Sequence, residues 1–124
     1  MTSELFRWPV RVYYEDTDAG GVVYHSNYIN FMERARTERL RAVGIELDAL
    51  AREHGILFVV RSLSVDYRKP ARFNELLQVT AEFEQLRSAS ILIHQTISRD
   101  DGELLCEGRV RVASISADGF RPRA

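Results

Sequence analysis

Two carboxylates and a glycine pair stand directly ahead of the longest helix-like stretch of the chain, in Tyr14-Glu15-Asp16-Thr17-Asp18-Ala19-Gly20-Gly21-Val22-Val23-Tyr24-His25-Ser26-Asn27-Tyr28. Gly20-Gly21 permits backbone turns with positive φ that other residues resist, and Ser26 or Asn27 is a natural N-cap for the helix that follows. A helix N-terminus facing a carboxylate loop suits acyl transfer. Its unpaired N–H groups and the positive end of its dipole hold a developing oxyanion, while an Asp acts as base or nucleophile. The same residues also describe an ordinary surface turn, in which Asx side chains bond to the local backbone. Spacing alone chooses neither between these readings nor between Asp16 and Asp18.

The elements that must position this loop follow from periodicity. Phe6 to Tyr14 is rich in β-branched and aromatic residues, and Pro9 within it marks a strand near a sheet edge. From about Asn27 to Val43 the apolar residues Tyr28, Phe31, Met32, Ala35, Leu40 and Val43 recur near the helical period. Gly44 stands at the C′ position, with Arg39 and Arg41 in the last turns. A shorter helix is expected over Leu47 to His54, stopped by Gly55. Strands are expected over Ile56 to Arg68, Leu76 to Leu86, Ala89 to Ser98 and Leu104 to Ser116, with a hairpin turn at Asp100-Asp101-Gly102. The order β, α, then four long strands predicts an α+β fold, an antiparallel sheet wrapped around its long helix. The tail from Asp118 to Ala124 is polar and is expected to fray.

The chain's 124 residues are enough for one core, so a single domain over 1–124 is expected. With 45% hydrophobic and 28% charged residues and a formal net charge of -1, composition is that of a soluble globular protein without general attraction to nucleic acid or anionic membrane. No apolar run approaches the roughly 18 residues of a membrane span. Met1-Thr2-Ser3-Glu4 lacks the start of a secretory signal, which makes the cytoplasm the expected compartment. The single cysteine, Cys106, agrees with a reducing compartment and reads as a small buried apolar residue rather than a nucleophile. His54 and His94 have no partners at ligand spacing, so neither a metal nor another cofactor is expected.

The run Val12 to His25, followed by Asn27-Tyr28 and Glu33-Arg34-Ala35-Arg36-Thr37-Glu38, resembles the signature of the 4-hydroxybenzoyl-CoA thioesterase family. The likeness is strongest to its YbgC group, acyl-CoA thioesterases associated with the bacterial Tol-Pal system. It extends from Leu5-Phe6-Arg7-Trp8-Pro9 through Phe58-Val59-Val60-Arg61 to Pro70-Ala71-Arg72. One departure is visible, Asn74-Glu75 where many relatives carry Gly-Asp, and it bears on the shape of one turn. The resemblance implies the hotdog fold and hydrolysis of an acyl-CoA to a carboxylate and free coenzyme A. It also implies a homo-oligomer whose sheets join edge to edge, a dimer or a dimer of dimers, with the active site between subunits. Acyl carrier protein is a further partner to consider. The alternatives are a non-catalytic binder of acyl-CoA or acyl carrier protein, and a cell-envelope interaction protein.

Carried onto single residues, the resemblance makes Asp18 the active carboxylate, because it fills the position just before Ala-Gly, and assigns polarisation of the thioester carbonyl to the His25 backbone N–H. The His25 ring is either a solvent-facing loop side chain or a proton carrier. Tyr24 and Tyr28 either line the acyl pocket or pack in core and interface. Arg61, Arg68, Lys69, Arg72 and Arg87 with Ser88 are basic strand ends. Guanidinium forks grip phosphate, and the resemblance gives Arg87-Ser88 that task on coenzyme A. For any one of these arginines a solvated sheet surface is the competing reading.

Overall fold

The structure is a computed structural model that describes residues 6–116, 118, 119 and 122. Its elements are β1 (Arg7–Arg11), α1 (His25–Ala42), α2 (Leu47–His54), β2 (Ile56–Tyr67), β3 (Leu76–Thr80), β4 (Glu82–Arg87), β5 (Ser90–Arg99) and β6 (Leu104–Ser116), with a short 3-10 turn over Tyr14–Asp16. The strands form one antiparallel sheet in the order β1-β3-β5-β6-β2, with β4 also paired to β5. The sheet curls around α1, the hotdog arrangement. Most of the tail expected to fray lies outside the described residues.

Helix α1 is held by one buried stripe of side chains. Tyr28, Phe31, Met32, Ala35, Arg36 and Leu40 are buried, and they recur at the three- and four-residue spacings that face one side of a helix. The stripe packs over β1, β3 and β5. The chain then leaves α1 by a Schellman turn, with Gly44 N–H donating to Arg41 O and Ile45 N–H to Leu40 O. Gly44 takes φ 93 there, which a side chain would resist. The helix crosses β6 closely, since a Cβ placed on Gly108 would lie 3.0 Å from Ser64 O and 3.2 Å from Met32 Cε.

The structure corrects two local expectations and gives the shape of a third feature, the Asn74 turn. The run Leu76 to Leu86 is two strands rather than one, broken at Ala81, while β5 continues past the break and pairs with both. The bend leaves Thr80 O outside the ladder, and the buried Gln95 amide donates to it at 3.1 Å. Helix α1 begins at His25, with Tyr24 at the N-cap and no side-chain cap bond, two residues before the expected start. Neither Ser26 nor Asn27 caps it, since both lie inside the helix, where Asn27 Nδ2 donates to Asp16 O at 2.9 Å and its Oδ1 accepts from Asn30 Nδ2 at 3.1 Å. The third concerns Asn74, whose φ of 69 is the one positive value outside glycine among the described residues. Asn adopts this left-handed region more readily than other side-chain-bearing residues, so the turn keeps the backbone shape that Gly would give it.

Gln95 joins three elements at once. It is 1% exposed, its Nε2 also donates to Met32 O in mid-helix at 3.0 Å, and its Oε1 accepts from Arg36 Nη1 at 3.1 Å. Gln95→Leu would leave a buried guanidinium and two buried carbonyls without these partners. It is expected to lower stability by roughly 2–4 kcal/mol, read as a shifted denaturant midpoint at constant slope.

Candidate active site

The acidic loop is a tight hairpin lying immediately before α1. Thr17 and Val23 pair across its base, Asp18 N–H donates to Val22 O and Gly21 N–H to Asp18 O, and Gly21 turns the chain at φ 81. The Val22–Val23 arm is stitched to the Pro70-Ala71-Arg72 segment by the Val22–Arg72 bridge and by Val23 N–H donating to Ala71 O. Asn27 fastens the loop from the helix side. Sequence spacing hides this clamp, since it closes over eleven residues.

The two carboxylates each accept one main-chain N–H but differ in exposure. Asp16 Oδ2 accepts from Tyr13 N–H at 2.9 Å, a bond that closes the 3-10 turn. Asp18 is exposed at the hairpin tip, and its Oδ1 accepts from Gly20 N–H at 2.8 Å. A Cβ on Gly20 would approach that same oxygen to 3.2 Å, so the glycine leaves the carboxylate room.

Helix α1 opens onto this loop with donors to spare. Tyr24 N–H donates to Asp16 O and Asn27 N–H to Tyr24 O. With no side-chain cap, no acceptor among the described residues takes the N–H of His25 or Ser26. Two aligned N–H groups at the positive end of an 18-residue helix form a site for negative charge.

Aromatic rings wall the helix entry. The His25 ring lies 4.5 Å from Tyr24 and 6.4 Å from Tyr67, and Tyr67 meets Tyr28 edge-on at 5.4 Å. Tyr67 donates its hydroxyl to His25 O at 3.0 Å, and burial pushes its phenol above the ordinary value. Sequence reasoning passed over Tyr67, although alternation along β2 puts it on the helix side. Tyr28 is 4% exposed, and its hydroxyl oxygen accepts the Ala71 N–H at 2.9 Å, so it packs in the core. Burial again raises the phenol pKa. Tyr24 stands exposed beside Asp18's hairpin.

The basic strand ends do not gather within one chain. Arg68 pairs with Asp66 and Glu107, and Lys69 with Glu103, all at the Tyr67 end of β2. Arg61 is the extra residue of a β-bulge in mid-strand, between the pairs Val60–Val112 and Ser62–Arg111. Arg87 lies at the β4–β5 turn, toward the other end of β2. Arg61 and Arg87 make no ion pair among the described residues. Beside Arg87 and Ser88 opens an apolar cavity of about 400 Å³ walled by Ile45, Leu50, Ile56, Phe58 and Leu86. It lies toward the opposite end of α1 from Asp18, and α1 is about 27 Å long at 1.5 Å per residue.

The sheet's last strand is also bare. Val60 and Leu63 pair with the core residues Val112 and Val110, and directly opposed residues share a sheet face. Val60 nevertheless remains 51% exposed, Leu63 38% and Tyr67 44%. The helix-side face of β2 is therefore apolar and uncovered, and β2 is an outer strand of the sheet. Among the described residues no cluster of His, Cys, Asp and Glu is placed to hold a metal ion, and no helix is long and apolar enough to cross a membrane.

With this geometry in hand, comparison with known proteins is decisive. The thioesterase superfamily model matches residues 20–106, from the Asp18 hairpin's glycines to Cys106. The chain belongs to the thioesterase superfamily. It is 47% identical over its full length to the acyl-CoA thioester hydrolase YbgC of Escherichia coli O157:H7, covering 92% of that protein. It is 44% identical, again over its full length, to the acyl-CoA thioesterase YbgC of Haemophilus influenzae, covering 90% of it. A probable thioesterase from Bartonella henselae, solved as a crystal structure, superposes with a TM-score of 0.89 at 32% identity, over 98% of this chain and 99% of the other.

In this superfamily member the lone thiol stands outside the site. Cys106 is fully buried on β6, and burial, with Asp66 and Glu107 nearby, pushes it up to about 12. A thiol reagent at mildly alkaline pH should leave Cys106 unmodified until the chain unfolds. The unfolded chain ionises first as pH rises past the ordinary value of 9.0. Cys106 therefore supports the fold fully below that pH, and its contribution is lost as pH rises from there toward 12. Thermal melts of the wild type and Cys106→Ala across that window check it.

Proposed function

We propose that this protein is an acyl-CoA thioesterase, built as at least a homodimer, in which Asp18 is the base or nucleophile and the His25 N–H holds the oxyanion. The observation that carries the reading is the uncapped start of α1 beside an exposed carboxylate. In hydrolysis the thioester C–S bond breaks, water supplies the second oxygen of the carboxylate product, and coenzyme A leaves as its thiol. If Asp18 acts as base, it removes a proton from the attacking water. If it acts as nucleophile, it forms an anhydride that water then opens. Either way the carbonyl oxygen gains negative charge as the tetrahedral species forms, and preorganised N–H donors stabilise that charge more than the ground state.

The dimer follows from the placement of the two half-sites. One end of β2 carries Tyr67 against His25, and the other carries Ile56 and Phe58 in the cavity beside Arg87 and Ser88. A two-fold axis normal to the sheet would pair two β2 edges antiparallel. Asp18, His25 and Tyr67 of one copy would then stand over the cavity of the other, with Arg68 and Lys69 of one copy near Arg87 of the other. The same contact would cover Val60 and Leu63. Arg87 with Ser88 would take the phosphates of the coenzyme, and two such dimers could pair into a tetramer. Acyl carrier protein presents the same pantetheine thioester and fits the same site. We place the protein in the cytoplasm, in keeping with its lone, free and buried thiol.

Asp18→Asn keeps the side chain's shape and removes its charge, and kcat should fall by roughly two orders of magnitude or more while acyl-CoA binding and melting temperature hold. Asp16→Asn should affect turnover less and stability by about 1 kcal/mol. Normal turnover in Asp18→Asn would remove the mechanism, and a binding module without catalysis would show no turnover in the wild type. Leu63→Lys places a charge in the proposed interface. Sedimentation should show a smaller species, and activity should fall with it, because neither chain holds a whole site.

A further inference from the structure

Two cavities meet at one phenylalanine. The larger, of about 400 Å³, has Arg87 and Ser88 at its rim and apolar walls. The smaller, of about 130 Å³, lies between α1 and β2 and is lined by Glu33, Arg36, Thr37, Leu40 and Val60. Phe58 and Val112 line both. These two residues lie on neighbouring strands and on the helix side of the sheet. Of the two, Phe58 has the side chain large enough to divide the space.

We infer that Phe58 is a specificity-determining residue of the thioesterase site, closing the acyl channel and so setting the longest acyl chain accepted. This rests on the acyl-CoA reading above. With the thioester at the partner's Asp18 over the cavity mouth, the acyl chain has the larger cavity to enter. Its walls offer dispersion and removal of apolar surface from water, which suits an unbranched aliphatic chain. The Phe58 ring stands between that cavity and the smaller one, whose lining includes Arg36, 7% exposed and bonded to Gln95 Oε1. The ring therefore stops the chain at Phe58.

Removing the ring should join the two spaces. The 130 Å³ beyond it admits roughly four further methylenes, each near the ~30 Å³ share of a water molecule. The test measures kcat/KM for saturated acyl-CoAs from butanoyl to octadecanoyl, with wild type, Phe58→Ala and Phe58→Leu, alongside thermal melts. The wild-type profile should fall off sharply above one length. In Phe58→Ala that fall-off should move to longer chains by about two to four carbons, with the long-to-short ratio of kcat/KM rising at least about tenfold. Phe58→Leu should move it less and in the same direction, and it carries the test if the alanine variant does not fold. Leu50→Phe, which fills the larger cavity from α2, should move the fall-off to shorter chains. If the wild type hydrolyses acyl-CoAs and the folded Phe58 variants keep its length profile, the inference is wrong while the thioesterase reading stands. If the wild type turns over no acyl-CoA, both are overturned.

Discussion

The buried amide of Gln95 is the joint on which this structure depends. A sheet can wrap a helix only if its strands bend, and a bend in β3–β4 leaves backbone groups without ladder partners. Gln95 supplies the donor that Thr80 O lacks, reaches the helix at Met32 O, and accepts from Arg36. The hydroxyls of Thr80 and Thr96 reinforce the same point, 2.7 Å apart. Buried polar groups are costly unless every one is paired. A network that pairs them only in one arrangement fixes where the helix lies, and the position of α1 fixes where its N-terminus opens.

Everything in the candidate site hangs from that helix end. The hairpin of Asp18 is tied on one side to Ala71 and Arg72 and on the other to Asn27. These ties hold an exposed carboxylate beside unpaired N–H groups without using either. Each carboxylate accepts one main-chain N–H, Asp16 from Tyr13 and Asp18 from Gly20, and Asp18 is the more exposed of the two.

The apolar strip along β2 belongs to the same logic. An edge strand with Val60 and Leu63 exposed on the helix side would invite indiscriminate pairing, and the bulge at Arg61 limits the register in which a second strand can add. One strand therefore carries both the bare apolar face and two walls of the candidate site. Its Tyr67 end supports the helix entry, and its Phe58 end walls the cavity.

Local chemistry made much of this chain legible before any coordinates. The period of Tyr28, Phe31, Met32, Ala35 and Leu40 marks α1, Gly44 and Gly55 mark where helices end, and Gly102 marks the β5–β6 turn, because these signals act through neighbours in sequence. The resemblance singled out Asp18 and the helix start for the same reason, as one continuous run of residues. What the sequence left undecided depends on contacts between distant segments. The break at Ala81 needs Gln95, fifteen residues from Thr80. The helix starts at His25, and Asn27 inside it ties back across eleven residues to Asp16 O instead of serving as a cap. Arg68 and Lys69 looked like partners of Arg87, yet they stand at opposite ends of β2, already paired with carboxylates. The division of the apolar space at Phe58 is tertiary as well, since a cavity is a property of surfaces that meet only once the sheet has closed around its helix.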